Sequence, residues 1–522
     1  MTVGRVLRWG IPLCVVLVAI GLLLVDDEVE DGLGAPAGDR PSPVAASGDK
    51  PSGAPAGTWT ESACPVDPGD TDVAVTCGYL SVPADRADRA DPDDRADRAD
   101  RADPDGATID LAVAVLHALE EGHADAVLYL TGGPGGSGLA ELEAWTTDGL
   151  LAGRDVVLLD QRGTGWSRPS LGCPELAEAD DDFKALRSCR DRLAGAGVDL
   201  DVYRTAEIAA DVADLRAALG YDEWNLWGSS YGTRVALAVL RDHPQGIRSV
   251  VLEGAYPPQV DAYADTVAAG VAAVEGLMDA CAADATCDGA YSELYATFVD
   301  AVVHLDQDPV VLDDDTELDG LGFAEAVVAG LGQSAAVGLM PAWIAAIADG
   351  GTEPLEALVE RRGRTRDGSD SDGLFYLVEC AEEIAHSRLA EVDAEDVADV
   401  LEVDLDDVVA ASQSAIVAST VDACALWAPP PVDAAVRRPV TSDVPALVIS
   451  GALDPQTPPW WAEQAAAGLR NGHLLIAPGM GHDVIDAHVC PRGIFEAFID
   501  DPTAPVDTAC LAAMTVEFAP PG

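Results

Sequence analysis

The segment WNLWGSSYGTRVALAVLRDH, residues 224 to 243, sets two adjacent serines between Gly228 and Gly232, after a strand-like apolar run and before a helix-like one. In a G-x-S-x-G elbow the glycines stand two residues either side of the nucleophile, because the sharp strand-to-helix turn brings the flanking backbones too close for a Cβ. Only Ser230 is flanked in that way, and Ser229 is the variable residue inside the turn. A serine hydroxyl attacks poorly until a base takes its proton, so an oriented histidine is needed elsewhere. On this type of sheet the chain order is Ser, acid, His. ALVISGALDPQTPP sets Asp454 just beyond a strand-like run, and HLLIAPGMGHD sets His482 just beyond the next. Asp483 is the rival acid, but two adjacent residues cannot both reach one imidazole comfortably. His473 precedes its strand and points to the opposite end, and His488 falls beyond the loop in a helix.

Acyl transfer also needs backbone N–H groups for the oxyanion. One donor is the residue after the nucleophile, Tyr231, and the other is expected from the glycine-dense turn LTGGPGGSG at 130 to 138. That turn lacks the Lys-Ser/Thr of a phosphate-binding loop and the spacing of a dinucleotide fingerprint. No cofactor is expected.

These residues need a scaffold, and the pattern supplies one. AVLYLTGG, DVVLLDQRG, WNLWG and SVVLEG are strand-like runs that alternate with helical ones. The helix from Ala206 to Leu219 carries Ile208, Val212, Leu215 and Leu219 on one face, with Thr205 placed to cap it and Gly220 to end it. Near-continuous apolar strands separated by such helices imply an α/β fold with a mostly parallel sheet covered on both faces. Between about 259 and 430 the chain is Ala-rich and helical in period, and the strands resume only at ALVISGALD. A helical insert of that kind sits above the strand C-termini, where ligands bind, and reads as a lid. The expected division is an export segment at 1–26, a Pro/Gly/Ala/Ser-rich tether at 27–60, core at 61–258, lid at 259–430 and core again at 431–522. An R-A-D repeat at 84–106 interrupts two strand-like runs and reads as a solvated hairpin-loop expansion.

The chain has 522 residues, 91 acidic against 30 basic, and a formal charge of -61, with Lys50 and Lys184 its only lysines. Repulsion opposes nucleic-acid or anionic-membrane partners, and so acidic a composition reads as adaptation to strong salt. Arg5 and Arg8 precede an uncharged run from Trp9 to Val25, which is an export signal, either cleaved or retained as an N-terminal membrane anchor. Cys14 in that run lacks a lipobox. The ten remaining cysteines suit an oxidising compartment, and the simplest scheme pairs 64/77, 173/189, 281/287, 380/424 and 490/510. None has zinc-like C-x2-C spacing, so no metal is expected.

Taken together, LYLTGGPGGSG, DQRGTGWSRPSLGC, WGSSYGTRVAL, LVISGALDPQTPP and PGMGHD resemble the secreted α/β-hydrolases of the proline iminopeptidase and tripeptidyl aminopeptidase group, serine peptidase family S33, with a tripeptidyl-aminopeptidase-like C-terminal region. The resemblance spans roughly residues 60 to 515 and is weakest in the lid. It implies an α/β-hydrolase fold, a triad of Ser230, Asp454 and His482, and oxyanion donors at Gly133 and Tyr231. Thr131 stands where iminopeptidases often carry His, which weakens proline specificity. Family members favour an acid after the lid cysteine, and LVECAEEIAH supplies Glu382 and Glu383, of which the likeness selects Glu382 as the anchor for a substrate ammonium. Asp160 and Arg162, in the DxRGxGxS turn, read as support. The implied activity is an exopeptidase acting through an acyl-enzyme on a peptide substrate. A carboxylesterase with the same triad on a small ester substrate, and a non-catalytic binding module, are the alternatives. The oligomeric state is left open.

Overall fold

The computed structural model of the chain describes residues 53–86, 107–120, 122–123, 125–177, 179, 181–312, 317–352, 370–401 and 408–519. Residues 1–52, which hold the expected export segment and most of the expected tether, and residues 87–106 of the R-A-D tract lie outside the described residues.

Nine strands form one sheet: β1 (Thr58–Ser62), β2 (Val75–Pro83), β3 (Thr108–Leu116), β4 (Ala126–Leu130), β5 (Val156–Leu159), β6 (Trp224–Ser229), β7 (Ile247–Glu253), β10 (Ala446–Gly451) and β11 (Gly472–Ala477). Their order is β1-β2-β3-β5-β4-β6-β7-β10-β11. From β5 to β11 every neighbouring pair is parallel, while β1, β2 and β3 form an antiparallel meander at one edge. The tether expected to run to residue 60 therefore stops earlier, because β1 begins at Thr58 and pairs along its length with β2. Trp59 explains the difference: its indole lies across Gly78 of β2, where a Cβ would come within 2.7 Å of the ring. One aromatic at the end of a low-complexity run was enough to start a strand.

The central strands read as unbroken apolar runs because both faces are covered. Along β3, Leu111, Val113 and Val115 face one apolar layer and Ala112, Ala114 and Leu116 the other. In β4, Leu128 and Leu130 divide from Val127 and Tyr129 in the same way, as the two-residue period of a strand requires.

Among the described residues between β7 and β10, the regular structure is helical apart from a ribbon of two two-residue strands, β8 (Val310–Val311) and β9 (Glu317–Leu318). Its longest helices are Ala262–Ala283 and Val408–Trp427. The first part of this region has its own core around Phe298, Phe323, Leu331 and Met340. The later part, with Leu374, Tyr376 and Trp427, merges into the core beneath the sheet. The five disulfides are Cys64–Cys77, Cys173–Cys189, Cys281–Cys287, Cys380–Cys424 and Cys490–Cys510.

Candidate active site

β6 ends at Ser229, and Tyr231–Asp242 is a helix, which leaves Ser230 alone at the bend with φ 54 and ψ -123. A non-glycine residue in that region of φ/ψ space is strained, and such strain persists only where the surroundings enforce it. Here they do. The Ser230 amide donates to the Glu253 carbonyl at 2.9 Å, and its own carbonyl accepts from the Thr233 amide and hydroxyl. The two glycines are sterically required: a Cβ on Gly228 would press into the Gly232 peptide, and one on Gly232 would fall onto the Leu130 carbonyl oxygen. Gly132, in the glycine-dense turn after β4, approaches so closely that a Cβ there would lie 2.8 Å from that of Ser230. Gly133 follows it at φ 113. Tyr231 opens the elbow helix, so its amide is among the N–H groups that a helix leaves without an internal partner.

The loops beyond β10 and β11 bring Asp454 and His482 into direct contact. Asp454 Oδ2 accepts from His482 Nδ1 at 2.7 Å, and both side chains are fully buried. Asp454 is itself held by the amides of Gln456 and Thr457 and by the Thr457 hydroxyl. Burial alone would lower the His482 pKa, yet the Asp454 carboxylate reverses this and holds it above the ordinary histidine value. Nδ1 is thus committed to Asp454, whereas Nε2 is buried without a hydrogen-bond partner. The imidazole rests on Gly254, where a Cβ would come within 2.8 Å of Cε1. Gly254 follows the residue whose carbonyl holds the Ser230 amide, so nucleophile and imidazole share one backbone support. Asp483 turns away, accepting from the Ser334 amide at 2.6 Å. His473 lies within β11, and His488 caps the helix Val489–Asp500 through the Cys490 amide.

Glu253, which the sequence analysis did not single out, ties these parts together. At the end of β7 its carboxylate accepts from the amides of Val484 and Ile485, just after His482, and from the Trp227 indole at 3.0 Å. Burial, with the nearby Asp486 charge, pushes its pKa up to about 7. Asp160 and Arg162 are struts. Asp160 bridges the hydroxyl of Ser137 and the amides of Leu139 and Trp166, and Arg162 grips Asp211 through two nitrogens. The Cys173, Glu175 and Cys189 grouping has metal-ligand spacing, but its two sulfurs are joined in a disulfide.

The lid acids hold partners that the sequence did not foretell. The helix Asp372–Val378 widens to π-type hydrogen bonding over Glu379–Glu383, turning Glu379, Glu382 and Glu383 all inward. Glu382 accepts from the Thr205 amide at 2.8 Å and the Thr205 hydroxyl at 2.7 Å. The helix Thr205–Leu219 is therefore capped from the lid, not by Thr205, and Gly220 ends it at φ 80. Glu382, expected to anchor a substrate ammonium, thus has both its oxygens on the helix end. The Thr205 hydroxyl continues to the Tyr231 hydroxyl at 2.8 Å. Glu383 pairs through Oε1 with Arg234 and Arg437, while its Oε2 is buried without a hydrogen-bond partner. Glu379 meets the Tyr256 hydroxyl at 3.2 Å. Burial raises the pKa of Glu379 and of Glu383, and the Glu383 charge raises that of Glu379 further.

Residues 125–316 match the family described as alpha/beta hydrolase fold, and residues 410–510 the family described as TAP-like protein. The chain has the α/β-hydrolase fold, with a TAP-like C-terminal region. The serine protease Hip1 of Mycobacterium tuberculosis is 29% identical over 457 residues, 78% of this chain and 82% of that protein. A probable proline iminopeptidase of Streptomyces coelicolor is 30% identical over 132 residues, 25% of this chain and 33% of that protein. Among solved structures, an alpha/beta hydrolase fold protein from Chitinophaga pinensis matches at 14% identity and a TM-score of 0.33, over 76% of this chain and 92% of that one. This α/β-hydrolase is a serine hydrolase of the peptidase kind.

Proposed function

We propose that the protein is an exported aminopeptidase in which Ser230 is the nucleophile, His482 the general base and Asp454 the group that orients it. The observation that carries this reading is a buried imidazole whose Nδ1 meets Asp454 and whose Nε2 is free of partners, resting on the same backbone segment that holds the strained elbow serine. In the proposed reaction Nε2 takes the Ser230 proton as Oγ attacks the scissile carbonyl. The oxyanion is held by the amides of Tyr231 and Gly133, and the proton then passes to the leaving amine. Water repeats the sequence on the acyl-enzyme.

An exopeptidase must also tell a free N-terminus from an internal bond. The Glu379 and Glu383 pair supports that role, because two desolvated carboxyls with an unpartnered oxygen favour an incoming ammonium. Arg234, one helical turn beyond Ser230, fixes Glu383 beside the elbow. Export is supported by the five disulfides.

The test compares Ser230→Ala with Ser229→Ala on free and N-acetylated tripeptidyl chromogenic amides and on a p-nitrophenyl ester. Ser230→Ala is expected to abolish turnover with the fold intact, and Ser229→Ala to retain substantial activity. Equal losses would overturn the nucleophile assignment. Cleavage of acetylated and free peptides alike would remove the amine anchor and favour the esterase reading.

A further inference from the structure

Four arginines converge where the lid meets the core. Arg204 precedes the helix Thr205–Leu219, Arg234 and Arg241 stand on one face of the elbow helix, and Arg437 comes from the segment leading to β10. Together with Thr205 and Glu382 they line one cavity of about 30 Å³. In a chain with three acidic residues for every basic one, such a concentration of guanidinium groups is a departure from the rest of the molecule.

The carboxylates nearby do not occupy it. Both Glu382 oxygens are taken by Thr205, Glu383 Oε1 is shared between Arg234 and Arg437, and Arg241 pairs outward with Asp242. Arg204 donates to the carbonyls of Leu377 and Pro430, and the carboxylate paired with it, Asp201, stands 3.9 Å away with its own side chain largely exposed. Burial depresses the Arg204 pKa, the sign of a guanidinium short of compensation. Arg234 is 3% exposed, and its Nε is buried with no hydrogen-bond partner. A buried donor left unmet is costly, and a guanidinium left unmet more so.

We infer that this arginine-lined cavity binds a small monovalent inorganic anion of the chloride class, which joins the lid segment around Glu382 to the core helices beginning at Thr205 and Tyr231. The site differs from the catalytic one, since it runs from Arg234 down the elbow helix toward Arg241, away from Ser230. Chloride would accept from Arg234 Nε, which has no partner, and from the N–H groups of Arg204 that are not spent on Leu377 and Pro430, giving charge-assisted bonds in a partly desolvated space.

The experiment measures thermal unfolding of the full chain in sodium chloride and in sodium gluconate at matched ionic strength, since gluconate screens charge but is too bulky for the cavity. The expected result is a saturable chloride-specific rise in Tm on top of the screening common to both salts. In Arg204→Gln the half-saturating chloride concentration should rise at least about tenfold, the loss of one charged hydrogen bond, while the gluconate curve, lowered throughout by the lost bonds to Leu377 and Pro430, keeps its salt dependence. Should Arg204→Gln fail to fold, Arg241→Gln at the rim carries the same comparison. Superimposable chloride and gluconate curves for the wild type would overturn the inference. So would a chloride-specific rise that persists unaltered in whichever of these variants folds.

Discussion

Replacing Glu382 by alanine separates two roles that a lid carboxylate could have. In the structure Glu382 accepts two hydrogen bonds from Thr205, one of them from an amide at the start of a 15-residue helix. Loss of a helix cap costs about 0.5–2 kcal/mol. A buried donor left unsatisfied costs about 1–3 kcal/mol. These contributions overlap, so Glu382→Ala should destabilise by about 1–4 kcal/mol. Glu382→Gln should cost about 1 kcal/mol, because the amide oxygen still caps while the NH2 group can donate to a Thr205 hydroxyl that turns toward Tyr231. Urea unfolding followed by tryptophan fluorescence measures the first quantity as a shift in midpoint. Activity should behave as positioning predicts. The Thr205 hydroxyl links Glu382 to Tyr231 beside the nucleophile, so kcat should fall by a similar factor on a free-amine tripeptidyl amide and on a neutral ester. An amine anchor would behave otherwise, losing about 2–5 kcal/mol on the free-amine substrate alone. Unchanged urea midpoints together with a loss confined to free-amine peptides would refute the capping argument.

Glu253→Gln removes a carboxyl whose ionised form raises the His482 pKa, so the acid limb of the kcat/KM profile should move to lower pH. In the wild type that limb should lie above about 6.5, the ordinary histidine value, because the base form is lost as pH falls through a raised pKa; an unmoved limb in the variant would disprove the coupling. With a formal charge of -61, Tm should climb steeply between dilute buffer and molar NaCl as self-repulsion is screened, and a flat response would remove the salt-adaptation reading.

What could be read from the sequence was whatever depends on near neighbours. The elbow is local, since two glycines, a strand before and a helix after lie within twenty residues. Asp454 and His482 were accessible because each follows a strand directly, and parallel strands deliver their loops to one edge of the sheet. The cysteine scheme was accessible for a related reason, as four of its five bridges join close neighbours. Partners of buried carboxylates were not accessible. Glu382 meets Thr205 across 177 residues and Glu253 meets Val484 across 231, and neither distance leaves a period or a spacing to find. The bonds of Glu382 to Thr205 were out of reach of the lid likeness, because the π-type widening that sets the direction of Glu379, Glu382 and Glu383 has no signature in residue type. β1 was missed because its single apolar anchor, Trp59, sits at the end of a compositionally biased run.

The ends of the R-A-D hairpin are clamped independently of what lies between them. Pro83 of β2 stands opposite Thr108 of β3, and the Ala84 amide donates to the Ala107 carbonyl at 2.8 Å. Arg86, the first arginine of the repeat, docks on Asp211 and Asp214, and Asp211 also holds the buried Arg162 beneath the glycine turn. Closing a longer connection between fixed ends costs only about 0.6 kcal/mol for each doubling of its length. Gain or loss of one Arg-Ala-Asp unit, nine nucleotides in the gene, therefore changes chain length between ends that the structure fixes independently. For the same reason this hairpin is the natural point at which to splice in a reporter peptide or an affinity handle.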